Sequence, residues 1–171
     1  MTRWEFTSGD ILDIGVDVLV CSANPYLDLS GGVGGAFALR FGQTMQHYLH
    51  AHLKDLGTRH VTPGTVVQAP PCGSPFKAVL HAVAVDAMYD SSPQLISRVV
   101  ERIFAMAHEV GATSVALPAL ATGYGHLTIE QFAEGLRPLI NRQLGVDRAV
   151  VCLRHEDDAV LVREVLSIGL K

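Results

Sequence analysis

The segment Ser22 to Ala36, SANPYLDLSGGVGGA, brings an amide (Asn24), a carboxylate (Asp28) and glycines at 31, 32, 34 and 35 together ahead of an apolar helical pattern. Glycines let a backbone approach a ligand closely, and the free N–H groups at a helix start carry the positive end of its dipole. The spacing therefore predicts a phosphate cradle. A second small-residue loop, Pro118 to His126 (PALATGYGH), presents Ala121, Thr122, Gly123, Tyr124 and Gly125 and ends in an imidazole. Bond breaking beside a bound phosphate requires groups that orient water or move a proton. Asn24 can orient a water or a hydroxyl, or serve only as a turn residue before Pro25. Asp28 is either an unorthodox base or a solvated loop carboxylate, and His126, an imidazole beside the second loop, is either a group that moves a proton or a loop residue apart from the chemistry. Tyr124 covers a ligand or packs within its own loop. Asp10, followed by Ile11, is either an Asx-type turn former or a ligand contact.

These groups must be positioned by the elements around them. Arg3 to Phe6 reads as an edge strand, and Val16 to Cys21 (VDVLVC) as a central strand covered on both faces. Ala36 to Leu53 carries helical periodicity with a break at Gly42, and Gly64 to Ala69 and Lys77 to Val85, joined by a turn at Pro70 to Pro75, read as a hairpin or as neighbouring strands. Ser92 as N-cap, Pro93 at the first helical position and Gly111 as terminator bound a helix. Thr113 to Leu117 is a short buried strand, and Thr128 with Gln131 forms a capping box for a helix that Pro138 kinks. Val150 to Leu153 is the last strand, and Glu156, Asp157 and Asp158 open a final helix. Alternating strands and helices on short connections make an α/β domain, and the early strands without an intervening helix make its sheet mixed.

The chain has 171 residues, 49% of them hydrophobic, and reads as one domain over residues 1–171. A net charge of −4 argues against broad, sequence-independent nucleic-acid binding. Cys21, Cys72 and Cys152 lie far apart and suggest reduced thiols; with neither a signal-like start nor an apolar run of ~20 residues, the expected compartment is the cytoplasm and no membrane partner is expected. His47, His50, His52 and His60 fit a solvated helix face better than zinc, because no Cys or carboxylate completes a ligand set, so no metal is expected. His81, within an apolar strand, reads as a satisfied core histidine.

Three phosphate sites compete for the glycine loops. No Gly-Lys-Ser or Gly-Lys-Thr occurs, which excludes a P-loop. A dinucleotide fold places its glycines directly after the first strand, whereas Ser22 to Ser30 intervenes here, and GTVVQA ends without an acid. The third is a resemblance: GDI at Gly9 to Ile11, VDVLVCSAN ending in Asn24, SGGVGGA, LHAVAVD and PALATGYG together resemble the macrodomain signature, in order and over nearly the whole chain.

The resemblance implies a three-layer α/β/α sandwich with a central mixed sheet that binds ADP-ribose and carries no cofactor. It implies Asp10, beside Ile11, at the adenine amino group and Asn24 at the distal ribose. Gly31, Gly32, Val33 and Gly34 would wrap the ribose and diphosphate, and Ala121, Thr122, Gly123, Tyr124 and Gly125 would close over the diphosphate. Arg154 and His155 would border the adenine or take a surface role. The implied activity is removal of ADP-ribose from modified protein or nucleic acid, or deacetylation of O-acetyl-ADP-ribose; the alternative is a non-catalytic reader. Departures from the family pattern are Cys21 and Ser22 in the Asn-Ala-Ala-Asn run, a second loop one residue shorter, and Gly34 where one enzymatic branch carries an Asp.

Overall fold

The computed structural model describes residues 1–167. Its strands are β1 (Arg3–Ser8), β2 (Val18–Ala23), β3 (Val66–Ala69), β4 (Ala78–Val83), β5 (Ser114–Pro118) and β6 (Arg148–Leu153). Its helices are α1 (Gly32–Phe41), α2 (Thr44–Asp55), α3 (Pro93–Glu109), α4 (Ile129–Leu136) and α5 (Glu156–Ser167). The strands form one six-stranded sheet in the order β1-β6-β5-β2-β4-β3. All neighbours are parallel except β3 against β4, so the sheet is mixed, with its antiparallel strand at one edge.

Side-chain alternation along the strands divides the core into two layers. Val18, Val20, Leu80, Val115, Leu117 and Val151 point toward α3, α4 and α5, whereas Leu19, Val79, Val83, Ala116 and Val150 point toward α1 and α2. The molecule is therefore an α/β/α sandwich, and helices on both faces explain why the central strands are predominantly apolar.

Local signals act as expected at the helix ends. Ser92 Oγ accepts from Leu95 N, and Thr128 with Gln131 forms a reciprocal capping box. Gly42 separates α1 from α2. Instead of kinking, α4 ends at Leu136 and continues as a 3-10 turn, Arg137–Leu139, because Pro138 cannot supply an interior N–H. The larger shift is in β2, which begins at Val18 and runs on through Ser22 and Ala23. In register with β4, these two residues pair with Ala82 and Val83, so neighbouring-strand pairing carries the strand past the apolar run.

Candidate functional site

The carboxyl ends of the five parallel strands open into a crevice of about 830 Å³. Each strand end contributes to the wall: Gly9, Asp10 and Ile11 after β1, Asn24 after β2, Val85 after β4, Ala119 and Ala121 to Gly125 after β5, and Arg154 after β6. This is the position that open α/β sheets offer to a ligand. Of the twelve residues expected at a ligand, Asp10, Ile11, Asn24, Gly31, Gly32, Val33, Ala121, Thr122, Gly123, Tyr124 and Gly125 line it.

Gly34 does not. Helix α1 begins at Gly32, so residue 34 falls in its first turn, buried against the preceding loop. A Cβ there would stand 2.8 Å from Leu29 Cδ2. A side chain here would have to displace the Leu29 methyl, the free end of a flexible side chain. Cys21 is likewise fully buried, in β2 toward the α1–α2 layer, so its departure from the family pattern changes the core and not the crevice wall.

The first loop is held from two sides. Asn24 Oδ1 accepts from Tyr26 N at 3.0 Å and Asp28 N at 3.2 Å, and its Nδ2 donates to Asp28 O at 3.2 Å. One Nδ2 hydrogen remains for the crevice. From behind, Gln46 on α2 donates to Leu27 O at 3.0 Å and accepts from Leu29 N at 2.7 Å. The Asp28 carboxylate turns toward α2 as well, with His50 Nε2 at 3.0 Å from its Oδ1. Asp28 lines the crevice but is engaged with His50, an arrangement that opposes a role as free base.

The second loop is tight. Ala121 takes a left-handed backbone conformation with φ of 64°, uncommon for a residue with a Cβ. Its carbonyl accepts from Leu127 N at 3.1 Å, and a Cβ on Gly125 would fall 2.3 Å from that same oxygen. His126 is not on the crevice wall. Its N–H donates to Tyr89 O at 3.1 Å and its Nδ1 lies 2.8 Å from Asp90 Oδ1, so it ties the loop after β4 to the loop after β5.

Asp10 caps the 3-10 turn Ile11–Asp13 by accepting from Leu12 N at 2.9 Å, and its Oδ2 meets Arg40 of α1 at 2.7 Å. The Asx-type turn and a place on the crevice wall coexist in one side chain. Burial pushes the Cys21 thiol up to about 12 and raises Cys152, with Asp10 adding to the latter, so neither thiol supplies a thiolate nucleophile near neutral pH. His81 is buried with Nε2 3.3 Å from Met45 Sδ, but its Nδ1 has no partner among the described residues. It is a core histidine, though not a satisfied one. Among the described residues no three His, Cys, Asp or Glu side chains converge on a metal position, and no helix is long and apolar enough to cross a membrane.

Sequence reading missed Tyr89 and Gln46. Tyr89 lines the crevice from the loop after β4, with φ of 63° and its ring 6.5 Å from that of Tyr124. The rule that ligands sit beyond strand carboxyl ends points to that loop, but nothing in Met-Tyr-Asp singles out the tyrosine. Gln46 looks like any polar position on an amphipathic helix.

Fold and crevice together define a three-layer α/β/α protein with a glycine-walled cleft at the carboxyl ends of its parallel strands. The Macro domain family model matches residues 20–135, more than half of the chain. The chain belongs to the macrodomain family. It is 32% identical over 127 residues to the O-acetyl-ADP-ribose deacetylase of Cronobacter turicensis, covering 72% of this chain and 71% of that protein. With an uncharacterised protein of Pyrobaculum aerophilum it shares 31% over 153 residues, 87% of this chain and 82% of the other. Among solved structures, an Oceanobacillus iheyensis macrodomain mutant with ADP-ribose superposes with a TM-score of 0.86 at 21% identity, covering 99% of this chain and 94% of that one. The Trypanosoma brucei macrodomain in complex with ADP-ribose gives 0.75 at 18% identity, covering 98% and 67%. At such identities these likenesses show the fold.

Proposed function

We propose that this macrodomain, as one module over residues 1–171, binds ADP-ribose in the strand-end crevice and hydrolyses an ester or glycosidic bond at its distal ribose. The substrates in this reading are ADP-ribosylated protein or nucleic acid, or O-acetyl-ADP-ribose. One observation carries it. Two glycine-bearing loops line a single crevice together with Asp10 and Asn24; helix-start and loop N–H groups suit a diphosphate, the Asp10 carboxylate suits an amino group as acceptor, and Asn24 suits a ribose or a water as donor. The named deacetylase relative and the neighbour solved with ADP-ribose support the same ligand.

Chemistry in this site rests on placement. The remaining Nδ2 hydrogen of Asn24 orients a ribose hydroxyl or a water, and the loop N–H groups stabilise charge on the diphosphate. In deacetylation, water adds to the acetyl carbonyl, the ester C–O bond breaks, and acetate and ADP-ribose leave. With Gly34 under Leu29 and Asp28 held by His50, no free protein carboxylate stands at the first loop, and the substrate's own phosphate is the available base. A chromatographic assay of O-acetyl-ADP-ribose and of an ADP-ribosylated acidic peptide, run for wild type and Asn24→Asp, tests the proposal. Asn24→Asp keeps the Oδ1 acceptor for Tyr26 and Asp28 but loses the donor, so turnover is expected to fall at least tenfold. No turnover by wild type at enzyme excess overturns the hydrolytic part.

The occupied Asn24 carboxamide favours a second reading, binding without turnover. Calorimetry showing tight ADP-ribose binding by a protein that releases no product would establish that case.

A further inference from the structure

Four charged side chains line the crevice: Asp10, Asp28, Asp158 and Arg154. Two of the three acids already have side-chain partners: Asp10 pairs with the Arg40 guanidinium at 2.7 Å, and Asp28 Oδ1 lies 3.0 Å from the imidazole Nε2 of His50. Arg154 is exposed and takes part in no ion pair among the described residues. It follows Leu153, the last residue of β6, whose carbonyl accepts from Gly9 N at 3.2 Å, so its backbone stands between the β1 and β5 loops. Its side chain leans to one of them. A guanidinium nitrogen is 3.8 Å from where a Cβ on Gly123 would stand, so the cation rests against the second glycine loop.

A diphosphate brings about two negative charges into this crevice, and loop N–H groups offer dipoles without net charge. The planar guanidinium fork matches phosphate oxygens and holds its charge at every accessible pH. We propose that Arg154 is a ligand-binding residue that meets the diphosphate over the second loop and sets the preference of the crevice for a nucleoside diphosphate over a bare nucleoside. This rests on the ADP-ribose reading above and departs from the expectation that Arg154 borders the base. Gly123 belongs to the same contact.

The test is titration of wild type, Arg154→Gln and Arg154→Lys with ADP-ribose, ADP and adenosine, followed by calorimetry or by amide shifts for the weak ligand. Because Arg154 is exposed, the variants are expected to fold, and thermal melts check this. The expected result is a 5- to 30-fold loss of affinity for ADP-ribose and ADP in Arg154→Gln, with adenosine changed less than about twofold and Arg154→Lys in between. Equal weakening of adenosine and ADP would assign the guanidinium to the base and overturn the proposal. So would ADP-ribose affinity within twofold of wild type. Wild type that binds neither ADP-ribose nor ADP would instead remove the reading beneath it.

Discussion

The ring of Tyr124 lies against the bare α-carbon of Gly31: a Cβ at residue 31 would meet its Cε2 and its hydroxyl oxygen at 2.7 Å. The two loops thus touch across the mouth of the crevice, one supplying an aromatic cover and the other the space beneath it. Tyr124 is 71% exposed, so it can move without disturbing the core. Gly31→Ala is expected to swing the ring outward, leave the melting temperature almost unchanged, and accelerate ADP-ribose dissociation several-fold. Tyr124→Ala should reproduce the kinetic effect. Stopped-flow dissociation rates decide it, and an unchanged rate in both variants would show that the contact does not gate the ligand.

Asn24 is first of all a loop organiser, through three hydrogen bonds to backbone groups of Tyr26 and Asp28. Each neutral bond of this kind contributes about 0.5–1.5 kcal/mol, and solvent replaces part of that at an exposed loop. Asn24→Ala is therefore expected to lower stability by about 1–3 kcal/mol in urea denaturation, in addition to any effect on turnover. Asn24→Asp should recover much of that stability through the retained acceptor. Equal stability of Asn24→Ala and wild type would mean that the loop is held by Gln46 alone.

His81 makes the fold sensitive to acid. Burial lowers its pKa from the usual 6.5 to about 4, so the folded protein keeps it neutral while the unfolded chain takes up a proton below about 6.5. The unfolded state then binds more protons, and stability falls as the pH drops from about 6.5 toward 4. The shift corresponds to roughly 3 kcal/mol at the low end of that window. His81→Leu also removes the unpartnered Nδ1 and should flatten this part of the stability profile. A variant that loses stability as steeply as wild type between these pH values would place the acid sensitivity elsewhere.

Gly135 brings α4 close to α3. A Cβ there would stand 2.6 Å from Ile96 Cβ and 2.8 Å from Pro93 O, and neither neighbour is the free end of a flexible side chain. Gly135→Ala gains helix propensity but must force the helices apart, for an expected net loss of about 2–3 kcal/mol. Thermal and urea unfolding measure it, with Ile96→Ala in the same chain expected to recover part of the loss.

Much of the architecture was legible because its determinants are local. Ser92-Pro93, Thr128 with Gln131, and Gly42 act within a few residues of themselves, and each sits where its hydrogen-bonding or backbone preference requires. The two glycine loops were legible for the same reason, since a small-residue run after an apolar strand is a feature of adjacent residues. The end of β2 was not, because Ser22 and Ala23 become strand only through their pairing with β4.

By itself the sequence determined the α/β/α class, the order of its elements, the family resemblance, and the two loops that wall the crevice. Tertiary structure alone decided what each polar group in that crevice is free to do. Asp28 meets His50, 22 residues away, Asp10 meets Arg40, 30 away, and His126 meets Asp90, 36 away. Gly34 came to lie beneath the Leu29 side chain, off the crevice wall, and Arg154 came to rest on Gly123. Such pairings depend on strand order and on which helix covers which face, and the spacing of residues along the chain does not encode either.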